Sequence, residues 1–204
     1  MDLYFSTQCG NSKRVLFTLA ELGVEVTEHP LDMRKREHRS AEYLAVNPLG
    51  KVPSLVDGPF VLWESNAIAL YLAERFPDKR IVPESPEGRA ELHKWLFYLA
   101  YEVGPPAWKY FFNARGFEMM VGVANPEELT SAEQALAGAL EPLEHRLSGR
   151  GHLLGEFSLA DIAFTPSFAN LVAAEFDLGR WPRLQSWVSG LLHRPAWGRA
   201  NNRA

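Results

Sequence analysis

Cysteine is nearly missing from this chain: Cys9 is the single one among 204 residues. One cysteine excludes an internal disulfide and fits a reducing compartment, so redox chemistry would need a thiol from outside. A surplus of positive charge is also lacking. Lys and Arg number 21 against 25 Asp and Glu, a net charge of -4, and the isoelectric point is about 5.9. That leaves no broad electrostatic footprint for nucleic acid. No charge-free apolar run is long enough to span a bilayer. The opening residues, MDLYFSTQCG, have neither the basic start nor the long apolar core of a secretory signal. The expectation is a cytoplasmic protein with no membrane and no nucleic-acid partner. Internal repeats and low-complexity tracts are absent as well. What is present is an ordinary globular composition, 47% hydrophobic, in a length that suits one large domain or two small ones.

Periodicity divides the chain in two. Leu3–Phe5 reads as a short buried strand. Val15, Leu16, Leu19 and Leu22 recur at helical spacing until Gly23 stops them. Val24–His29 alternates as a second strand. The basic stretch Met33–Arg39 is a loop or loose helix, and Ala41–Val46 makes a helical turn or two before Asn47-Pro48. Pro53 begins a strand, where its missing N–H does least harm. Ser54–Val56 and Phe60–Trp63 form a hairpin about Asp57-Gly58. Helical spacing returns behind Ser65. The order β-α-β-α-β-β-α predicts a thioredoxin-like α/β domain over residues 1–78, with a right-handed crossover in its strand–helix–strand unit. Residues 79–86 are polar and proline-rich, a linker. Residues 87–204 show only helical patterns: Glu87–Tyr101, broken by Pro105-Pro106 and resumed over Ala107–Ala114, then Pro126–Leu147, Leu159–Ala174, Pro182–Leu192 and a short piece after Pro195. They predict an all-α C-terminal domain.

The run from Asn47 to Ala73, NPLGKVPSLVDGPFVLWESNAIALYLA, sets a polar helix N-terminus beside an extended backbone edge. Such a place can take a carboxylate and a peptide together. Asn47-Pro48-Leu49-Gly50-Lys51-Val52-Pro53, followed by Glu64-Ser65-Asn66-Ala67-Ile68, resembles the glutathione site of the cytosolic glutathione transferases. The likeness is to theta-, phi-, beta- and nu-like members of a bacterial type; no tyrosine occupies the first strand–helix turn, which disfavours the tyrosine-type classes. The resemblance implies that Ser65 and its backbone N–H hold the γ-glutamyl carboxylate and that Glu64 faces the glutathione amine. It implies a cis bond between Val52 and Pro53, with the Val52 backbone paired to the cysteinyl part of glutathione. It implies a grip on the glycyl carboxylate by His38, Arg39 and Lys51, with Lys35 as the counterpart in a beta-like register. Without the resemblance, Arg34–Arg39 and Lys51 are a solvated basic surface, and Ser65 is an N-cap for its helix.

Two groups compete for the reacting sulfur. Cys9 follows the first strand and precedes the first helix, where the helix dipole favours thiolate; the alternative is a buried, inert thiol. By resemblance it falls where theta-, zeta- and phi-like members carry serine and omega-like members cysteine, although Gly10 stands where omega-like members place proline. In a beta-like register the cysteine position falls on Asn11, whose amide could donate to the sulfur of glutathione as in nu-like members, or merely cap the helix. Ser12 has the same two readings. Tyr101, Trp108 and Phe112 belong to an aromatic cluster beside Pro105-Pro106, either core or the roof of an apolar pocket for the second substrate. Ser158-Leu159-Ala160-Asp161 has capping-box spacing and reads as a folding device.

The resemblance therefore implies a glutathione S-transferase that uses glutathione as co-substrate and no metal. It would activate the thiolate for attack on a small hydrophobic electrophile, and it would work as a homodimer. The alternatives are a glutathione-dependent thiol–disulfide oxidoreductase acting through Cys9, and a non-catalytic binding or regulatory protein on the same fold. A zeta-like isomerase is a weaker match, because its serine-rich signature is absent from Ser6–Ser12.

Overall fold

A computed structural model describes residues 1–115 and 125–202. The chain divides into two compact units, Met1–Val82 with Arg194–Ala204, and Pro83–His193. The first is the thioredoxin-like α/β unit and the second is all-helical among its described residues.

In the first unit four strands, β1 (Asp2–Phe5), β2 (Thr27–Pro30), β3 (Ser54–Asp57) and β4 (Phe60–Trp63), form one sheet in the order β2-β1-β3-β4. β1 runs parallel to β2, as a helical crossover requires, and antiparallel to β3, which pairs with β4 through the hairpin. Leu3, Phe5 and Leu55 are fully or almost fully buried in this sheet. The crossover helix α1 (Gly10–Leu22) buries Val15, Leu16, Leu19 and Leu22. It ends at Gly23 in the left-handed conformation, φ 70°, whose N–H returns to Leu19 O; Val24 N–H bonds the same carbonyl at 3.1 Å. This helix ending, of a kind that glycine permits, holds Val24 back. β2 therefore starts at Thr27, later than the alternation at Val24 suggests. Pro30 is tolerated in β2 because that strand is an edge. Next come a 3-10 turn at Glu37–Arg39, α2 (Ala41–Val46) and α3 (Ser65–Arg75).

The last helix, α9 (Pro195–Asn201), belongs with this unit, although its place in the sequence groups it with the helical part. Trp197 packs edge-on against Phe17 of α1 at 5.5 Å. Arg194 makes two bonds to the Glu21 carboxylate, at 2.7 and 3.1 Å. Lys13 Nζ donates to Asn201 at 2.7 Å.

The second unit contains α4 (Pro86–Tyr98), α5 (Gly104–Ala114), α6 (Pro126–Arg146), α7 (Leu159–Ala173) and α8 (Pro182–Leu192). α7 is buried almost all round, and its Phe164 and Phe168 meet Trp187 of α8 at 6.1 and 5.6 Å. α4 passes into α5 through one π-helical turn, Leu99–Val103. The break therefore precedes the proline pair, and Pro105 and Pro106 lie in the first turn of α5, where no helical N–H bond is lost. A Cβ at Gly104 would lie 2.7 Å from Leu99 O, so only glycine fits this turn.

Candidate functional site

The turn from β1 into α1 presents Cys9. Its backbone is extended (φ -94°, ψ 119°) and takes the N-cap position. Its N–H donates to Ser6 O at 3.1 Å and its carbonyl accepts from Lys13 N–H at 3.0 Å. The thiol does not cap the helix. It is half-buried and lies 3.8 Å from the Val52 carbonyl oxygen. Asn11 and Ser12 lie inside the helix, so neither is its cap. Ser12 Oγ is fully buried and accepts from Ser6 N–H at 3.1 Å, which pins the strand end to the helix start.

One turn along α1, Arg14 is buried to 5% exposure. Its Nη1 donates to Asn11 Oδ1 at 2.8 Å and to Ser65 Oγ at 2.5 Å. Burial pushes its guanidinium down to about 10, opposed by the negative fields of Cys9 and Glu64. Lys13 is also lowered by burial and raised by Cys9. Two cations thus sense the cysteine sulfur. Arg14 was not singled out as a site residue in the sequence.

Ser65 does not cap α3. It is the first helical residue, and Glu64 takes the cap position with φ 75° and ψ 110° and no side-chain cap bond. A non-glycine residue held there stores about 1–3 kcal/mol of backbone strain, a cost concentrated at functional sites. Ser65 Oγ is turned to Arg14 instead. The Glu64 side chain is exposed. The first N–H groups of α3 remain for an anion.

Val52-Pro53 is a cis peptide bond, and both residues are buried one step before β3. Tyr43, which the sequence did not single out, and Asn47, which opens the Asn47–Pro53 motif, hold this loop. Tyr43 donates its hydroxyl to Lys51 O at 2.5 Å and lies 2.8 Å from Ser54 Oγ. Asn47 Nδ2 donates to Lys51 O at 2.8 Å and Ser54 Oγ at 3.1 Å, and its Oδ1 accepts from Leu49 N–H at 3.0 Å. Burial raises the Tyr43 phenol above its ordinary value, against its bonds to Ser54 and Asn47. It therefore serves as a neutral donor. The Lys51 side chain is exposed. Gly50 has φ +58°, and a Cβ on it would meet Arg39 Nη1 at 2.8 Å and His38 O at 2.9 Å. That packing brings His38 and Arg39 beside the loop. Arg39 Nη1 bonds Leu49 O at 3.2 Å, while His38 Nδ1 is buried without a partner. Burial, then Arg39 and Arg36, keeps the His38 imidazole below its ordinary value. Lys35 pairs with Asp32 at 3.7 Å.

In the helical unit Tyr101 and Trp108 are 74% and 54% exposed, so neither is core. Trp108 packs on Phe112 at 5.8 Å and on Phe111 at 6.1 Å. Tyr110 instead turns to Phe176 at 4.9 Å, and Tyr98 bonds Ala139 O at 3.0 Å. Asp161 is completely buried within the α7 capping box and is no site residue. Among the described residues no three His, Cys, Asp or Glu side chains gather to hold a metal ion, and no helix is long and apolar enough to cross a membrane.

Comparison with known proteins gives the family and the overall fold. Residues 1–74 fit the family profile "Glutathione S-transferase, N-terminal domain" and residues 93–195 fit "Glutathione S-transferase, C-terminal domain". The chain is 34% identical to glutathione S-transferase F9 of Arabidopsis thaliana over 194 residues, which covers 91% of this chain and 89% of that protein. Among solved structures, glutathione transferase F2 from Populus trichocarpa superposes with a TM-score of 0.90 at 28% identity, covering 98% of this chain and 96% of that one. A glutathione S-transferase-I bound with the ligand lactoylglutathione superposes with a TM-score of 0.89 at 28% identity, covering 98% and 97%.

Proposed function

The chain belongs to the glutathione S-transferase family, and we propose that it activates glutathione at the N-terminus of α1 for attack on a small apolar electrophile. The observation that carries this reading is the gathering of Cys9, Asn11, Val52 and Ser65 in one unit, through the 3.8 Å approach of Cys9 to Val52 and the bridge of Arg14 from Asn11 to Ser65. In this reading the Val52 backbone, presented by the Val52-Pro53 turn, pairs with the cysteinyl part of glutathione. Ser65 and the α3 N-terminus take the γ-glutamyl carboxylate, and Glu64 takes the amine. His38, Lys51 and Arg39 face the glycyl carboxylate.

The glutathione thiol loses its proton to solvent, and its sulfur is stabilised by donors at the α1 turn. The thiolate then forms a C–S bond with the electrophile while the leaving group departs. Tyr101, Trp108 and Phe112 supply aromatic surface for the acceptor. The exposed Phe60, Val61 and Trp63 on edge strand β4 support a homodimer, because a second copy would cover them. The location proposed is the cytoplasm, with no nucleic-acid or membrane partner.

A second reading rests on the half-buried Cys9 sulfur at the helix N-terminus. There Cys9 thiolate would attack a glutathione mixed disulfide, bonding to the glutathione sulfur and releasing the substrate thiol. A second glutathione thiolate would then break that bond, giving oxidised glutathione and free Cys9. The purified protein and Cys9→Ala are assayed with a halogenated aromatic acceptor and with a glutathione mixed disulfide. Conjugation retained in both proteins supports the first reading. Loss of only the disulfide activity assigns exchange to Cys9. No binding to immobilised glutathione would overturn both and favour a non-catalytic protein.

A further inference from the structure

We propose that Arg14 is a positioning residue that commits Asn11 and Ser65 to donate toward glutathione, joining the sulfur end of the site to its γ-glutamyl end. This rests on the glutathione-binding reading above. A guanidinium has five N–H donors and no acceptor. Whatever it bonds must accept. With Asn11 Oδ1 at 2.8 Å from Arg14 Nη1, the orientation of the Asn11 amide is fixed by chemistry: its oxygen is occupied and its NH2 group can only donate. Asn11 is exposed, so that NH2 is open to a ligand. Ser65 Oγ accepts from the same nitrogen at 2.5 Å, which leaves its one O–H to donate elsewhere. A buried cation therefore turns an amide and a hydroxyl, each able to donate or accept, into donors suited to an anionic ligand.

The charge fits as well. Arg14 is nearly inaccessible to solvent, and the groups whose negative fields oppose its burial are Cys9 and Glu64, with Lys13 the neighbouring cation. A buried cation is costly unless it is compensated. A ligand bringing a thiolate to Asn11 and a carboxylate to Ser65 adds negative charge beyond the partners that Arg14 already has within the chain. Arg14 touches neither reacting atom and acts through the two side chains it orients.

The test compares wild type, Arg14→Met, Arg14→Lys, Asn11→Ala and the double variant Asn11→Ala/Arg14→Met. Two quantities are measured: affinity for S-methylglutathione, and the pH profile of thiolate absorbance of bound glutathione. Arg14→Met should weaken S-methylglutathione roughly ten- to hundredfold, the effect of a lost charge-assisted hydrogen bond. Its thiol profile should move up by about one pH unit. The shift should shrink sharply in the Asn11→Ala background, because the orientation being lost is that of Asn11. Arg14→Lys keeps charge but not the two-sided bond, so it should shift the profile in the same direction by less. If Arg14→Met does not fold, Arg14→Lys with and without Asn11→Ala makes the same comparison. A lower melting temperature with an unmoved thiol profile overturns the proposal and leaves Arg14 structural. An equal shift in both Asn11 backgrounds also overturns it, since Arg14 would then act on the sulfur directly. Failure of wild type to bind glutathione overturns the functional reading itself, an outcome distinct from both.

Discussion

Removing the Asp161 carboxylate should destabilise the protein strongly while leaving its glutathione chemistry intact. The carboxylate is completely buried. One oxygen accepts from Leu153 N–H at 3.1 Å and Trp187 Nε1–H at 2.8 Å, and the other from Ser158 N–H at 2.9 Å and Ser158 O–H at 3.0 Å. His152 Nδ1 lies 3.4 Å away. These bonds fasten the start of α7 to the preceding loop and to α8. In Asp161→Ala the serine hydroxyl can turn, but two backbone donors and the indole N–H are stranded, at about 1–3 kcal/mol each. Relief from burying a charge offsets part of this, leaving about 3–5 kcal/mol. For a chain of this size each kcal/mol moves the melting temperature by about 2–4 °C, so the drop should be about 6–20 °C. Asp161→Asn should not rescue it, because the amide NH2 would face donors. Thermal unfolding checks the magnitude. Calorimetry of the folded fraction with S-methylglutathione checks that affinity is unchanged, since every proposed glutathione contact lies in the other unit. A melting temperature within about 2 °C of wild type would refute the structural role, given that scale of stability change. Weakened binding in the folded fraction would refute its confinement to folding.

Gly50→Ala places a Cβ within 3 Å of Arg39 and of the His38 carbonyl, at a φ that side chains rarely adopt. It should raise the KM for glutathione several-fold with little change in kcat, because the loop carrying Lys51 and Val52 must shift; an unchanged KM in steady-state kinetics would count against the proposed loop contacts. His38 is held below its ordinary value by burial and by Arg39 and Arg36. A carboxylate bound beside it would favour its charged form, so binding should take up protons, and affinity for S-methylglutathione should rise as pH falls from about 8 toward about 6. Calorimetry in buffers of different ionisation enthalpy measures this uptake, and equal uptake by His38→Gln would remove His38 from the site. The sign for stability alone runs the same way as for any depressed histidine: the contribution of neutral His38 is present above about 6.5 and is lost as pH falls below it.

Much of the fold was legible in the sequence because its signals are local. The strand–helix–strand order, the hairpin at Asp57-Gly58 and the capping box at Ser158–Asp161 lie in short periods and fixed spacings. The departures came where distant partners decide. The start of β2 was misplaced because Val24 is tied back to Leu19 through a left-handed glycine. Ser65 looked like a cap, yet the chain holds Glu64 at positive φ and gives the serine hydroxyl to Arg14, 51 residues earlier in the sequence. The place of α9 beside α1 depends on Arg194 reaching Glu21, 173 positions away, which no pattern of spacing conveys.

The same division runs through the site. Contiguous motifs revealed the residues proposed to read the peptide, Asn47 among the motif letters, while Tyr43 and Arg14, which help hold those residues in place, are ordinary letters whose roles arise only from packing. Packing also bears on whether Cys9 or Asn11 governs the sulfur. The Val52 carbonyl is the group Cys9 approaches in the free protein, and it belongs to the backbone proposed to pair with the cysteinyl part of glutathione. The two compete for one acceptor. If conjugation depends on Asn11, glutathione must displace Cys9 from that carbonyl, and Cys9→Ala should bind glutathione as well as wild type or better. If Cys9 instead meets the glutathione sulfur directly, the same substitution removes a contact and affinity should fall. Calorimetric titration of wild type and Cys9→Ala under reducing conditions separates the two before any turnover is measured, and a several-fold loss of affinity would refute the assignment to Asn11.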